Sequence, residues 1–373
     1  MASLNQGKPM WLEIDESLVD LYPTATASQC AALEAIALSV FHGKNSLYAK
    51  KRTLEWICAQ QLSQAAKSVC LRIKNRLSEY ASLRDFIKIK IIVVSSDREL
   101  SFNDAGLWEL PLSALENNPI STCTLLAENL SDADIYLIAA EHYRRHNKIN
   151  GLITNLTPIG GGGNQIYPAF LRFVDRKETF CLSVTDTDKD YPSAESNDAS
   201  KSCKALAGER RWIADHIDVP ARELENILPV NIVEDAIFND DGCVELHERF
   251  SKVKGGTENS PDALLYCDLK KGTKFLWAGD AHGNKDKARF WTDFLGSKNP
   301  PINGCGNGCN EKCECFMIES LGERIAEKFL EHCRKISGQK QYERMKTSAN
   351  ADQWLEVGKV VFDWGVAIPR SRT

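Results

Sequence analysis

The hydrophobic and polar positions divide the chain into a helical opening and a mixed remainder. Two early segments, "TASQCAALEAIALSVFHG" and "KRTLEWICAQQLSQAAKSVCLRIKNRLSEYASL", place apolar residues three and four apart, the spacing of helices that bury one face. "FIKIKIIVV" (86 to 94) predicts a strand, with the polar turn "SSDREL" after it. "STCTLLAE" (121 to 128) predicts another, running directly into the helical "NLSDADIYLIAAEHYRRHN", for which Ser131 is a candidate N-cap. "GLITNLT", the turn "PIGGGGNQ" and a helical "IYPAFLRFVDRK" follow. A short strand then leads into "CLSVTDTDKDYP" (181 to 192), and "WIADHIDV" (212 to 219) leads into "PARELENILP". "ALLYC" (263 to 267) is a further strand candidate. Strand and helix alternating at this spacing predict an α/β fold with a mainly parallel sheet flanked by helices. Three regions are expected. Residues 1–118 form a mainly helical part with room for a hairpin, 119–235 the α/β domain, and 236–373 a smaller cysteine-containing region.

The stretch 181 to 192 stands out chemically. Phe180, Leu182 and Val184 pattern as one side of a buried strand, and continued alternation would project Asp186 and Asp188 the same way. Paired carboxylates repel unless a cation lies between them, and a hard divalent ion such as Mg²⁺ is the usual one. A solvated acidic turn closing at Tyr191-Pro192 is the competing account. Glu128 ends its own predicted strand, Asp132 follows one helical turn later, and Glu223 and Glu225 follow the strand at 212 to 219. In open α/β sheets ligand sites gather beyond the carboxyl ends of the strands. Acidic groups at several such ends favour a metal site.

Composition narrows the field. The 373 residues carry a net charge of −5, so nothing pulls the whole chain toward nucleic acid, and binding there would rest on local basic patches. No apolar run is long enough for a membrane span, and the N-terminal "MASLNQGKPMWLEIDE" lacks the pattern of a signal peptide. With 13 cysteines, this predicts a reducing, cytoplasmic setting in which clustered thiols hold metal more often than they pair. Such a cluster is "NGCGNGCNEKCECF", within an insertion at 303–316. There Cys305, Cys309, Cys313 and Cys315 suit a tetrahedral structural Zn²⁺, against a loop of free thiols. Cys30, Cys58, Cys70 and Cys123 fit buried apolar positions instead. His216 falls near the acidic groups and is more in keeping with a structural role. The P-loop pattern does not occur, so any nucleotide hydrolysis would come from another chain.

A glutamate ending one strand, Asp-x-Asp ending another and a glycine turn between them resemble the Toprim domain of topoisomerases, primases and certain nucleases. Four motifs are similar to the OLD-type and phage-defence Toprim nucleases: "ENLSD" (Glu128, Asp132), "TPIGGGGNQIYPAFLRF", the Asp186-x-Asp188 pair and "RELENILP" (222 to 229). The chain has no fused ATPase segment, which points toward single-gene effectors acting beside a separate ATPase, as in PARIS-type systems. The resemblance implies a Toprim-like catalytic domain and an endonuclease using Mg²⁺ or Mn²⁺. Asp186 and Asp188 would hold metal, Glu128 would be a ligand or the base activating water with Asp132 aiding it, and Glu225 or Glu223 would complete a second metal position. OLD-type enzymes use a lysine downstream of Asp-x-Asp, which makes Lys270, Lys271 or Lys274 the candidates, Lys270 first.

Other features have two accounts each. Gly160–Gly163 could turn backbone N–H groups toward a phosphate or simply permit a strand-to-helix turn. "YRRHNK" (143 to 148) and "CRKISGQKQYERMK" (333 to 346) could meet a nucleic-acid backbone or be solvated surface. The expected function is therefore the toxic effector of an anti-phage system. It would cleave nucleic acid, tRNA before DNA, while controlled by a separately encoded ABC-type ATPase, with homodimerisation on release. The alternative is a catalytically inactive Toprim-like module that binds nucleic acid or a partner.

Overall fold

The computed structural model describes residues 11–87, 90–103, 107–116, 122–238, 244–257, 261–275, 284–296 and 315–370. The chain divides into two compact units. The first comprises Met1–Val184, Cys203–Ile217 and Gly358–Thr373, and the second Thr185–Ser202 and Asp218–Val357. Among the described residues no helix is long and apolar enough to cross a membrane.

The first unit opens with strands β1 (Trp11–Ile14), β2 (Ser46–Ala49), β3 (Lys90–Val94), β4 (Ser101–Phe102) and β5 (Trp108–Pro111), in the sheet order β2-β1-β3-β5-β4. All neighbours run parallel except the β4–β5 pair. Parallel neighbours need crossovers. Helices α1 (Ser17–Leu21) and α2 (Ala27–Phe41) connect β1 to β2, and α3 (Lys51–Ala59), α4 (Gln64–Asn75) and α5 (Leu77–Phe86) connect β2 to β3, while β4 lies between β3 and β5. Helix α2 starts at a reciprocal cap, in which the Thr26 N–H donates to Gln29 Oε1 at 2.9 Å and the Gln29 N–H to Thr26 Oγ1 at 3.3 Å. Residues 1–118 are therefore not simply helical with a hairpin. Their helices flank a largely parallel sheet, and only β4–β5 corresponds to the hairpin. "WLEI" and "SLYA" escaped the pattern because nearly every side chain in them is buried, which leaves no alternation to detect.

A second sheet in the same unit contains β6 (Thr124–Ala127), β8 (Thr157–Gly160), β9 (Cys181–Thr185) and β10 (Ala214–Asp218), ordered β10-β9-β6-β8, with β7 (Ile153–Thr154) outside it. β6 runs parallel to β8 and β9. The Cys181 N–H donates to the Ile213 carbonyl and the Val219 N–H to that of Thr185, so β9 and β10 align start to start and end to end, also parallel. Helices α6 (Leu130–His146) and α7 (Ile166–Arg176) fall where the periodicity put them. The strand predictions for the β6, β9 and β10 segments likewise hold, whereas the one at 86 to 94 starts too early: Phe86 ends α5 and β3 begins at Lys90. Two details change. Asn129 rather than Ser131 caps α6, and β8 takes in Pro158–Gly160, which the sequence assigned to a turn. β7 pairs antiparallel with Val366–Ala367 near the end of the chain.

In the second unit, α8 (Asp198–Gly208) begins after the acidic loop and ends in the first unit. Then come α9 (Leu224–Ile227), α10 (Val230–Phe238), α11 (Val244–Thr257), α12 (Pro261–Tyr266), β11 (Thr273–Lys274), α13 (Lys285–Gly296), β12 (Phe316–Ile318), α14 (Ile325–Lys335), α15 (Gly338–Met345) and α16 (Ala351–Gly365), which crosses back. "ALLYC" is thus helical, in α12, rather than a strand. The expected divisions at 118 and 235 do not separate compact units, and the second of them cuts α10. Arg344 clamps α10 through a two-pronged ion pair with Asp235, 2.7 Å at each prong.

Candidate functional site

β9 ends at Thr185, and the acidic loop that follows is held by backbone and side-chain bonds. Thr187 and Asp188 both donate their N–H to the Arg222 carbonyl at 3.0 Å. Thr187 Oγ1 donates to the Ala221 carbonyl at 2.6 Å. Asn197 closes the loop, donating through Nδ2 to the Asp186 carbonyl and to Asp188 Oδ2 at 2.8 Å. Asp188 has a left-handed backbone, φ 56°. Strand alternation therefore stops at Thr185 and does not orient Asp186 and Asp188 alike, a correction to the sequence argument. Asp186 is half-buried and its Oδ1 accepts the Leu224 N–H at 2.8 Å at the start of α9, whereas Asp188 is exposed.

Helix α9 brings the other acidic groups to this loop. Glu223 and Glu225 are 9% and 7% exposed, so their charge must be met from inside the protein. The ammonium of Lys270 meets both, 3.4 Å from Glu223 Oε2 and 3.1 Å from Glu225 Oε2. Neither of those buried oxygens completes a well-aligned hydrogen bond. Burial pushes the Glu225 carboxyl upward, with Lys270 opposing. Burial also disfavours the Lys270 charge, but Glu225, Glu223 and Asp186 outweigh it and hold the ammonium above the ordinary lysine value. Asp186, Glu223, Glu225 and Lys270, separated by up to 84 positions in sequence, thus form one electrostatic group.

The residues that build this group carried no predicted role. Asn226 donates to the Leu264 and Cys267 carbonyls at 2.7 and 2.9 Å, tying α9 to the segment that carries Lys270. Arg222 lies 3.6 Å from both Glu223 Oε1 and Asp268 Oδ2. The available signal was the adjacency of Arg222, Glu223, Glu225 and Asn226 in "RELEN", where a buried amide beside buried carboxylates implies a fixed backbone partner.

Glu128 and Asp132 belong to the first unit. Glu128 is half-buried directly after β6. Asp132 Oδ2 accepts from the Asn129 N–H and from Asn129 Nδ2, each at 3.1 Å, so its carboxylate serves the start of α6. The glycine turn is also occupied. The Gly161 N–H bonds to the Ala127 carbonyl at 2.7 Å, and those of Gly162 and Gly163 to the Glu128 carbonyl at 2.9 and 3.1 Å. Those donors fix the Glu128 backbone rather than cradle a phosphate. A side chain at Gly160 would meet the Leu130 nitrogen at 2.8 Å, which explains a glycine where β8 touches the start of α6.

The remaining candidates scatter. Lys271 is exposed and Lys274 lies in β11. Arg144 and Arg145 both pair with Glu141 at 2.7 Å, so one carboxylate is shared by two guanidinium groups at this helix end. In 333 to 346, Arg344 is committed to Asp235 and Lys346 pairs with Glu343. His216 is buried within β10. Cys70 and Cys123 are buried as expected, but Cys30 and Cys58 are only half-buried. Cys305, Cys309 and Cys313 lie outside the described residues, and Cys315, which precedes β12, is half-buried. Among the described residues no three of His, Cys, Asp and Glu stand close enough together to enclose a metal ion. No protein-family model matches the chain, and no curated protein and no solved structure matches it.

Proposed function

We propose that the chain is a Toprim-type nuclease that cleaves phosphodiester bonds of nucleic acid with Mg²⁺ or Mn²⁺. The observation that carries this is the buried carboxylate group gathered on Lys270 beyond the end of β9. Hard oxygen donors, two of them buried without an aligned hydrogen bond, fit a hard divalent cation. Asp186, Asp188, Glu223 and Glu225 would hold it, and Glu128 would be a ligand or the base that takes a proton from water. Bound Mg²⁺ or Mn²⁺ supplies Lewis-acid polarisation of the phosphate and an acidified water. Lys270 keeps the carboxylates charged in the resting protein. Once their charge is met otherwise, its ammonium can turn to a phosphate oxygen. Asp186 is oriented in the resting protein by the Leu224 N–H.

We further propose that the enzyme is the toxic effector of an anti-phage system, working in the cytoplasm on tRNA first and DNA second. A separately encoded ABC-type ATPase would restrain it, with homodimerisation on release, and Zn²⁺ on the four clustered cysteines would be structural. The alternative is a Toprim-like module that binds nucleic acid or a partner without cutting. Cleavage of labelled tRNA and DNA by purified protein with Mn²⁺ or with chelator decides between them. Metal-dependent cutting lost in Asp186→Asn supports the nuclease, and metal binding or nucleic-acid binding without cutting supports the module.

A further inference from the structure

Between α10, α14 and α15, all in the second unit, lies a cavity of about 350 Å³ that the nuclease reading leaves unused. Lys328, Glu331, His332, Lys335 and Lys340 line it, against apolar Ala236 and Ile336. Glu331, Lys335 and Lys340 are exposed and solvated, and by themselves they would be ordinary surface charge. His332 is different. It is 8% exposed, its Nε2 is buried, and neither ring nitrogen has a hydrogen-bond partner among the described residues. Burial holds the imidazole below the ordinary histidine value. Asp235 opposes this, while Lys340, Lys335 and Arg344 add to it. Asp235 is itself already held at both oxygens by Arg344. A neutral imidazole always carries one N–H donor. Here that donor belongs to the wall of a cationic pocket and has no protein acceptor.

We infer that this pocket binds a phosphate group. Three ammonium groups against one carboxylate leave it positive, so a cation is refused. An apolar molecule would leave the buried imidazole donor unmet. Among anions, the layout separates a tetrahedral phosphate from a planar carboxylate. Lys328 and Lys335 are seven positions apart on α14, about 10 Å along its axis, with His332 between them, and Lys340 comes from α15. A carboxylate offers two oxygens in one plane. A phosphate turns one oxygen to the imidazole and others toward ammonium groups on two helices. The volume lies at the lower end of the range for small-ligand sites, roughly 300 Å³ upward, which is room for a phosphate and part of the sugar that carries it. On the nuclease reading, the pocket anchors the backbone of the strand while the Lys270 group meets the phosphate cut. That last step rests on the nuclease reading, whereas the phosphate assignment does not.

The test uses the full chain, without added divalent metal, in two arms. Calorimetry follows inorganic phosphate and AMP, and fluorescence anisotropy follows a labelled single-stranded RNA of mixed sequence over a range of salt. Lys335→Gln, Lys340→Gln and His332→Phe should each weaken phosphate and AMP about tenfold, the scale of a lost hydrogen bond to a charged group. The strand should weaken too. The slope of its log affinity against log salt should fall by about 0.7 for each lysine removed. His332→Phe should leave that slope unchanged, because the neutral ring carries no charge. Lys51→Gln, at an exposed position in α3, should alter none of these. Both pocket lysines are exposed, so their variants decide the matter even if circular dichroism shows His332→Phe unfolded. A loss in the strand arm alone places a backbone phosphate in the pocket. A loss in the phosphate and AMP arm alone places a free phosphate ester there, and the link to the strand falls. Equal affinity for all three ligands in wild type and both lysine variants, or binding of none of them, overturns the assignment. A chain that cuts nothing with metal defeats the nuclease reading instead, and both arms still decide the pocket.

Discussion

Replacing Lys270 by methionine isolates the electrostatic core of the site from any question of catalysis. The Lys270 side chain is 28% exposed and faces Glu223 and Glu225, whose side chains are 11% and 5% exposed. Removing one partner of a buried ion pair costs about 3–5 kcal/mol because the other charge stays buried and unmet. The partial exposure of the ammonium sets the expectation at the low end, about 3 kcal/mol at neutral pH. Burial already raises the Glu225 carboxyl. A raised acid contributes stability that is present below its unfolded value and is lost as pH rises through its folded value. Without Lys270 that folded value rises further, so the variant should lose most at pH ~7.5 and recover as pH falls toward ~4.5, near the ordinary glutamate range. Adding Glu225→Gln should recover part of the loss, since it removes one of the two stranded charges and leaves Glu223 beside Arg222. Urea unfolding followed by tryptophan fluorescence at both pH values measures all three. A loss under about 1 kcal/mol at neutral pH, or one equal at both pH values, would refute the assignment of Lys270 to these carboxylates.

Three further outcomes are expected. Gly358→Ala should destabilise by about 1–3 kcal/mol in a thermal melt, because its new carbon would lie 2.3 Å from the Ala139 carbonyl oxygen where α16 crosses α6. Asn226→Ala should cost about 2–3 kcal/mol by leaving the Leu264 and Cys267 carbonyls unmet, and should weaken cleavage by loosening the Lys270 segment. Protein purified without chelator should carry about one Zn²⁺ per chain by elemental analysis, falling when any two of Cys305, Cys309, Cys313 and Cys315 become serine.

The α/β alternation from 121 to 219 was legible because its helices α6 and α7 are periodic and its strands β6 and β9 are runs of buried, mostly apolar or β-branched residues. The N-terminal sheet was not, since β1 and β2 are four residues each with three of the four buried. At the site, Asp186, Glu223 and Glu225 were found as acidic groups after predicted strands, and Lys270 as one of three lysines. What singled out Lys270 is a long-range tether, Asn226 to the 264–267 segment, which no local spacing encodes. The common orientation of Asp186 and Asp188 failed because a left-handed residue interrupts the pleat. The glycine turn starts later than predicted, because β8 runs to Gly160, and its N–H groups serve the Ala127 and Glu128 carbonyls.

The most direct test of the central claim is cleavage of labelled tRNA and single-stranded DNA by the purified chain, with Mn²⁺, with Mg²⁺ and with excess chelator, alongside Asp186→Asn and Glu128→Ala. Each substitution removes a charged group without touching the apolar core, so folding should persist while the rate falls at least ~10²-fold, the loss of a transition-state contact worth about 3 kcal/mol. Cutting that requires metal and fails in both variants is the predicted result. Cutting that survives chelator, or that both variants retain in full, would contradict it.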